Sequence, residues 1–478
     1  MAENRKRTKI VATLGPALNS ESLLEKMMES GVNVFRVNFS HADYDDVEEK
    51  IKIIRKINQK RNFNVAILAD LQGPKLRVGV MQKGVKLKAG DTFTFTTVKC
   101  EGTKEKAYMT YQSFPKDVQA GEHILVDDGK LLFEVTGTDR NTEVTTKVLR
   151  GGKLSSKKGV NLPNTNISLP ALTEKDIKDA LFAIKMDVDW IALSFVRTAE
   201  DLIQLRELIE NNSSYKIPIV AKIEKPEAVA NIDKLTPYCD ALMCARGDLG
   251  VEVPMEQVPL IQKRLVLKAK KAHIPIIIAT QMMETMITNQ VPTRAEVNDV
   301  ANSIMDGADA VMLSGETSVG EYPLEVIKQM RKIIESVENS PLITIPDHYV
   351  QCVTERFISK TICHQAALMA NSINAEVITT LTASGYTAFQ ISSWRPKSNI
   401  LAFSSNRRIL AMLNLLWGVK GVYYDKFVST DQTIEDINNL AHEHGYLENG
   451  DYAINITSMP VKERGMANTM RITEYEKS

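Results

Sequence analysis

The sequence predicts an α/β protein: a (β/α)8 TIM barrel, a small β-barrel lid inserted into it, and a separate C-terminal α/β domain. Three observations carry that prediction. Short, near-continuously apolar runs alternate with amphipathic helical stretches, the pattern of parallel strands buried on both faces. The gap between the third and fourth runs exceeds a hundred residues and is filled by two-residue alternation with turn residues. Beyond about residue 340, a linker with Pro341 and Pro346 opens a second series of strands and helices. An open doubly wound sheet could hold the same runs, but eight in sequence favour the barrel.

In order, the eight runs are 9–14, 32–39, 65–71, 190–195, 219–223, 241–245, 276–280 and 310–313. Helix starts lie between them. Asn19 or Ser20 can cap the helix that ends at Gly31, and Thr173 can cap a helix over 174–185. Thr293 and Glu296 have the spacing of a capping box, with Gly307 just past the end of that helix. The insertion, 75–158, carries Phe93-Thr94-Phe95-Thr96 and turns at Asp127-Asp128-Gly129, Asp139-Arg140-Asn141 and Gly151-Gly152. Placed on a βα loop, it would hang over the catalytic end of the barrel as a lid. The domains are therefore 1–74 with 159–340, then 75–158, then 341–478. In the last, strands are expected at 377–382, 399–404, 421–425, 451–457 and 469–474.

Composition narrows the function. The 478 residues suggest roughly three domains at about 150 residues each. Lys+Arg and Asp+Glu both number 59, so the net charge is zero, which argues against nucleic acid or an anionic membrane as main partner. Arg5, Lys6, Arg7 and Lys9 make a basic start, but 10–14 is too short for a secretory signal. No apolar stretch is long enough to span a bilayer. Cys100, Cys239, Cys244, Cys352 and Cys363 lack C-x-x-C spacing and read as reduced thiols of a cytoplasmic protein.

In a barrel, chemistry gathers where the strands end. Arg36, Asn38 and Ser40 alternate on the second run, so they point to one side, as do Lys222 and Glu224 on the fifth. Asp70 ends the third, Arg246-Gly247-Asp248 the sixth, Thr280-Gln281 the seventh and Ser314-Gly315-Glu316 the eighth. Any one of these is commonplace: Lys-x-Glu is usually a surface pair, and Arg-Gly-Asp a turn. Together on one rim they suit phosphoryl transfer. Glu224 and Asp248 offer hard oxygens to Mg²⁺, and Lys222 and Arg36 can neutralise a phosphoryl group in transit. His442-Glu443-His444 reads as a solvated helix end, and Asp127-Asp128-Gly129 as a hairpin turn.

The motifs Val34-Phe35-Arg36-Val37-Asn38-Phe39-Ser40-His41, Ala221-Lys222-Ile223-Glu224, Ala245-Arg246-Gly247-Asp248-Leu249-Gly250, Ala279-Thr280-Gln281-Met282 and Met312-Leu313-Ser314-Gly315-Glu316, in this order, resemble pyruvate kinase. The similarity runs from Thr8 to Arg471. It implies transfer of a phosphoryl group from phosphoenolpyruvate to ADP, giving pyruvate and ATP, by a homotetramer with a C-terminal effector domain. By resemblance, Glu224 and Asp248 hold Mg²⁺ or Mn²⁺, and Lys222 stabilises the phosphoryl group and the enolate. Arg36 grips the phosphate, while Thr280 with the Gly247 and Asp248 backbone takes the carboxylate. Asn38, His41, Arg77 and Lys158 lie where the family contacts the nucleotide and its metal. Protonation would run through water near Thr280, Ser314 and Glu316. Two rivals are weighed: a metal-dependent pyruvate-enolate aldolase or lyase, which needs no lid, and a catalytically silent sugar-phosphate sensor.

The chain departs from the family's commonest pattern in two places. Many members need K⁺ and read Asp-Thr-Lys-Gly-Pro-Glu after strand three; here Asp70-Leu71-Gln72-Gly73-Pro74-Lys75 stands there. Asn38, Ser40, Asp70 and Leu71 match the K⁺ site, but a Lys75 ammonium would supply that charge covalently, so K⁺ is expected to be dispensable. The animal fructose bisphosphate loop, Thr-Lys-Ser-Gly-Arg-Ser, becomes Thr382-Ala383-Ser384-Gly385-Tyr386-Thr387, and 427–432 has neither Trp nor Arg. A monophosphate effector on Thr382, Ser384, Gly385 and Thr387 is expected instead, with Lys462 and Arg464 as partial compensation.

Overall fold

Eight parallel strands, Lys9–Thr13, Val34–Asn38, Ala66–Asp70, Trp190–Leu193, Ile219–Ile223, Ala241–Ala245, Ile276–Ala279 and Ala310–Leu313, close into a barrel in chain order. The last lies beside the first, with Lys9 opposite Ala310. The computed structural model describes residues 6–163, 165, 167–341, 356–426, 428–458 and 466–476. The two-residue period explains why these strands are apolar on both faces apart from polar residues near their ends. Val11, Val34, Leu68, Trp190, Val220, Met243, Ile277 and Met312 point inward and fill the barrel, while Ile10, Phe35, Ile67, Ile191 and Ile278 face the helices.

Local chemistry sets the helix starts. Ser20, rather than Asn19, caps Glu21–Ser30 by accepting from Leu23 N–H, and that helix stops at Gly31. Thr173 with Asp176, and Thr293 with Glu296, form reciprocal capping boxes on Glu174–Lys185 and Arg294–Asp306. Gly307, with φ 99°, ends the second.

The insertion folds as a six-stranded sheet in the order Val160–Asn161, His123–Val126, Leu131–Thr138, Glu143–Arg150, Thr92–Thr96, Lys106–Tyr108. Its two edges are joined through 77–81 by single bridges, Arg77 to Gly159 and Val78 to Met109, rather than by a full strand. Alternation buries Phe93 and Phe95 with Phe114 and Phe133, with ring centroids 5.1–6.1 Å apart. The sheet continues to Asn161, three residues past 158, because Val160 pairs with Val126 and Asn161 with Leu125.

The C-terminal sheet runs Val419–Tyr423, Asn399–Ser404, Val377–Leu381, Tyr452–Thr457, Thr469–Glu474, the last antiparallel. Its edge strand starts at Val419, not 421, because the turn at Gly418 (φ 70°) brings Val419 opposite Ile400. This domain docks on the end of the barrel where strands begin. Lys9 Nζ donates to Val419 O at 2.7 Å, Trp190 Nε1 to Met412 O at 3.1 Å, and Arg395 pairs with Asp309 at 3.0 Å. The opposite rim is left to the lid.

Cys239, Cys244 and Cys363 are free, and burial pushes each thiol up to about 12; Cys100 is free and exposed. Pro346, Cys352, Phe427, Lys462, Arg464 and Gly465 lie outside the described residues. His442 Nδ1 contacts Leu447 O and its ring stacks on Tyr475; among the described residues no group of three potential metal ligands exists. No described helix is long and apolar enough to cross a membrane.

Candidate active site

Four barrel strands deliver one charged cluster. Asn38 and Asp70 end the second and third strands in register, and Lys222 and Glu224 come from the end of the fifth. Arg36 Nε donates to Asp70 Oδ2 at 2.6 Å, and its Nη1 to Thr13 Oγ1 at 3.1 Å. Lys222 Nζ lies 3.2 Å from Asp70 Oδ1 and 2.9 Å from Glu224 Oε1, and donates to Ser194 Oγ at 2.6 Å. The Phe195 N–H donates to Glu224 Oε2 at 2.7 Å.

Burial dominates the electrostatics here. It works against the Lys222 charge, but Asp70 and Glu224 outweigh it, so Lys222 titrates above its ordinary range. Burial also opposes ionisation of Asp70, yet Lys222 and Arg36 hold its carboxyl below the ordinary range. Glu224 is shifted up, chiefly by burial, with Asp248 adding to it against the pull of Lys222.

The neighbouring strand ends are held under backbone strain. Thr280 has φ +70°, Gln281 +55° and Phe195 +55°, values that a β-branched or bulky residue rarely adopts and that cost about 1–3 kcal/mol each. Thr280 is held there by three bonds: its Oγ1 donates to Ala279 O (2.6 Å) and accepts from Gly247 N–H (2.8 Å), while Arg246 Nη2 donates to Thr280 O (2.7 Å). A Cβ on Gly247 would lie 3.3 Å from Thr280 Oγ1, so the small residue permits the close approach. The Gly247 N–H expected to face a carboxylate is thus directed at the Thr280 hydroxyl. Glu316, 2% exposed, accepts from the Ser314 N–H (2.7 Å) and Met283 N–H (3.2 Å), and burial raises its carboxyl.

The remaining expected residues spread outward. Ser40 N–H donates to Asn38 Oδ1 at 3.2 Å beside Asp70, and Leu71 is buried. His41 is exposed. In the lid, Arg77 Nη1 donates to Lys157 O at 2.9 Å, and Lys158 pairs with Asp127 at 2.8 Å in the Asp127-Asp128-Gly129 hairpin turn. Lys75 is exposed at the lid neck, in a cleft of about 50 Å³ shared with Asp128, Asp248 and Glu252. It makes no ion pair among the described residues, and Asp70 is answered by Arg36 and Lys222 instead.

The loop 382–387, expected to hold an effector, presents fewer hydroxyls than its sequence offers. Thr382 Oγ1 accepts from the Gly385 N–H at 2.8 Å, and Thr387 Oγ1 bonds Thr380 Oγ1 at 2.7 Å, so both hydroxyls are turned into the domain. Ser384 alone of the three is exposed. Conversely, Thr13 and Ser194 brace the site without having been singled out for it, and Arg246, placed on the rim by its sequence position, proves to hold the Thr280 carbonyl. Position at a strand end would have flagged Ser194, which follows Trp190–Leu193.

Comparison with known proteins decides the family. The family model for the pyruvate kinase barrel domain matches residues 5–327, and that for the pyruvate kinase alpha/beta domain matches 360–473. The chain belongs to the pyruvate kinase family. It is 41% identical over 474 residues to the pyruvate kinase of Geobacillus stearothermophilus, covering 98% of this chain and 80% of that one. It is 42% identical over 453 residues to pyruvate kinase 2 of Synechocystis, covering 94% and 76%. A crystal structure of a pyruvate kinase from Cryptosporidium parvum superposes with a TM-score of 0.91 at 33% identity, covering 99% and 98%. The chain is a phosphotransferase that moves the phosphoryl group of phosphoenolpyruvate to ADP, giving pyruvate and ATP, the last step of glycolysis. The aldolase or lyase alternative is set aside.

Proposed function

We propose that this transfer is carried by Lys222 and Arg36, with Glu224 and Asp248 as metal ligands and the nucleotide gripped from the lid side. The observation behind the reading is the Lys222 ammonium, buried yet kept charged by Asp70 and Glu224. A fixed cation shielded from water stabilises charge in transit far more than one in solvent. Arg36, pinned through Nε and Nη1, leaves Nη2 for a phosphate oxygen. Thr280 and the start of the helix Arg246–Glu252 orient the carboxylate end, with Gly247 N–H holding the Thr280 hydroxyl in place. Ser314 and Glu316 line the path by which water brings the proton to carbon, and Asn38, His41, Arg77 and Lys158 receive the ADP phosphates.

Mg²⁺ or Mn²⁺ suits the donors at Glu224 and Asp248. Both are hard carboxylates, and Glu224 Oε1 is a buried oxygen without a hydrogen-bond partner. Two protein ligands leave other positions to substrate oxygens and water, as Mg²⁺ prefers. Bound there, the ion would supply Lewis-acid stabilisation of developing oxygen charge.

The same reading makes K⁺ dispensable at the Asn38, Ser40, Asp70 and Leu71 site. Asp70 already has two cations, and Lys75 adds a covalent one at the lid neck. It includes a cytoplasmic homotetramer and a monophosphate effector on the loop of Thr382, Ser384, Gly385 and Thr387. There Ser384 and the start of the helix Tyr386–Ser393 are the contact groups. A lactate dehydrogenase-coupled assay with phosphoenolpyruvate, ADP and Mg²⁺ tests the core of this. NADH oxidation should stop on chelation and nearly vanish in Lys222→Met; activity surviving both overturns the residue roles.

A further inference from the structure

Ser194 is 1% exposed at the exit of the fourth barrel strand, and its hydroxyl is fully committed. A hydroxyl has one proton to give. Ser194 Oγ donates to Leu71 O at 2.7 Å, so toward Lys222 Nζ, 2.6 Å away, it acts as acceptor. The other neighbours of the ammonium bind it differently. Asp70 Oδ1 and Glu224 Oε1 are within ion-pairing range at 3.2 and 2.9 Å, yet neither oxygen receives a properly angled hydrogen bond. Among the described residues, the carboxylates supply charge and the serine supplies direction.

The surrounding backbone is built to keep that serine in place. Phe195, in the left-handed region at φ +55°, donates its N–H to Glu224 at 2.7 Å, so adjacent residues hold both Lys222 and Glu224. Gly73, on the neck leading to the lid, has φ +69°, and a Cβ there would come within 2.8 Å of the Phe195 ring and 3.0 Å of Ser194 Cβ. Only glycine lets the neck lie this close.

We infer that Ser194 is a positioning residue for the phosphoryl transfer, fixing the rotation of the Lys222 ammonium and tying it, through Leu71 O, to the neck of the lid. Anchoring one N–H of a tetrahedral ammonium sets the direction of the other two. The inference rests on the reading of Lys222 as the group that stabilises the transferring phosphoryl.

A double-mutant cycle tests it. Ser194→Ala should lower kcat roughly 10²-fold, the scale of a small misplacement of a reacting group, while the phosphoenolpyruvate KM moves less than about threefold. In a Lys222→Met background the same substitution should cost less than about threefold, because its target is gone. An unchanged kcat in Ser194→Ala, or the full loss repeated in the Lys222→Met background, overturns the inference. Near-normal turnover of Lys222→Met alone would overturn the underlying reading instead. Should Ser194→Ala fail to fold, Ser194→Cys, similar in size and a weak acceptor, runs the same cycle, with a smaller kcat loss expected that again disappears in Lys222→Met.

Discussion

The Lys222 ammonium lies 2.9 Å from the Glu224 carboxylate, and both side chains are nearly sealed from water. Removing Glu224 leaves the buried Lys222 and Arg36 cations to share the single carboxylate of Asp70, and an under-compensated buried charge is destabilising. Glu224→Ala should therefore lose stability as well as most Mg²⁺ affinity. Asp248 is only half-buried and in no ion pair among the described residues, so Asp248→Ala should lose metal affinity with much less destabilisation. Mn²⁺ titration beside urea unfolding separates the two. Equal destabilisation by both substitutions would contradict the geometry.

K⁺ dependence gives a second test. Wild-type enzyme should be fully active in buffers whose only monovalent cations are bulky organic ones, and Lys75→Glu should become K⁺-dependent. Activation of the wild type by K⁺ of tenfold or more, about 1.4 kcal/mol, would refute the reading.

The proposed monophosphate site around Ser384 gives a third test. Each lost charge-assisted hydrogen bond is worth roughly 1.5–3 kcal/mol, so a bisphosphate should bind ~10²-fold or more weakly than to a loop carrying Lys and Arg. Ribose 5-phosphate, glucose 6-phosphate, AMP and fructose 1,6-bisphosphate, each titrated at subsaturating phosphoenolpyruvate, decide it. A monophosphate should activate, and Ser384→Ala should weaken that effect. Activation by the bisphosphate alone, at micromolar concentration, is the contrary result.

Lys9 makes the docking of the C-terminal domain sensitive to pH. Burial, helped by Lys420, pulls its pKa down to about 7, against 10.5 for an ordinary lysine. The unfolded chain therefore holds more protons between those two values, and stability should rise with pH across that window, by up to ~1.4 kcal/mol per pH unit. Urea midpoints followed by tryptophan fluorescence from pH 7 to 9 should climb more steeply in the wild type than in Lys9→Met. Equal slopes would exclude a neutral Lys9 at Val419.

Much of this molecule was legible from residue patterns because two periods do most of the building. Short apolar runs such as Ala241–Ala245, repeated between amphipathic helical stretches, read as strands buried on both faces, and alternation puts Lys222 and Glu224 on one side. Capping residues such as Thr173 and Thr293 mark helix starts by their own hydrogen-bonding chemistry. What stayed hidden depends on where a neutral group points. Ser194 carries no charge to draw notice, and the inward hydroxyls of Thr382 and Thr387 look identical in sequence to outward ones. The single bridges that join the lid's edges through 77–81 leave no periodic trace.

Turnover and substrate binding of Lys222→Met, measured together, test the central claim most directly. On the proposed role its cation matters most while the phosphoryl group is in transit, so kcat should fall by at least ~10³ while phosphoenolpyruvate binding suffers far less. Near-normal turnover in Lys222→Met, or trapping of substrate on Lys222 of the wild type by borohydride, would contradict the account.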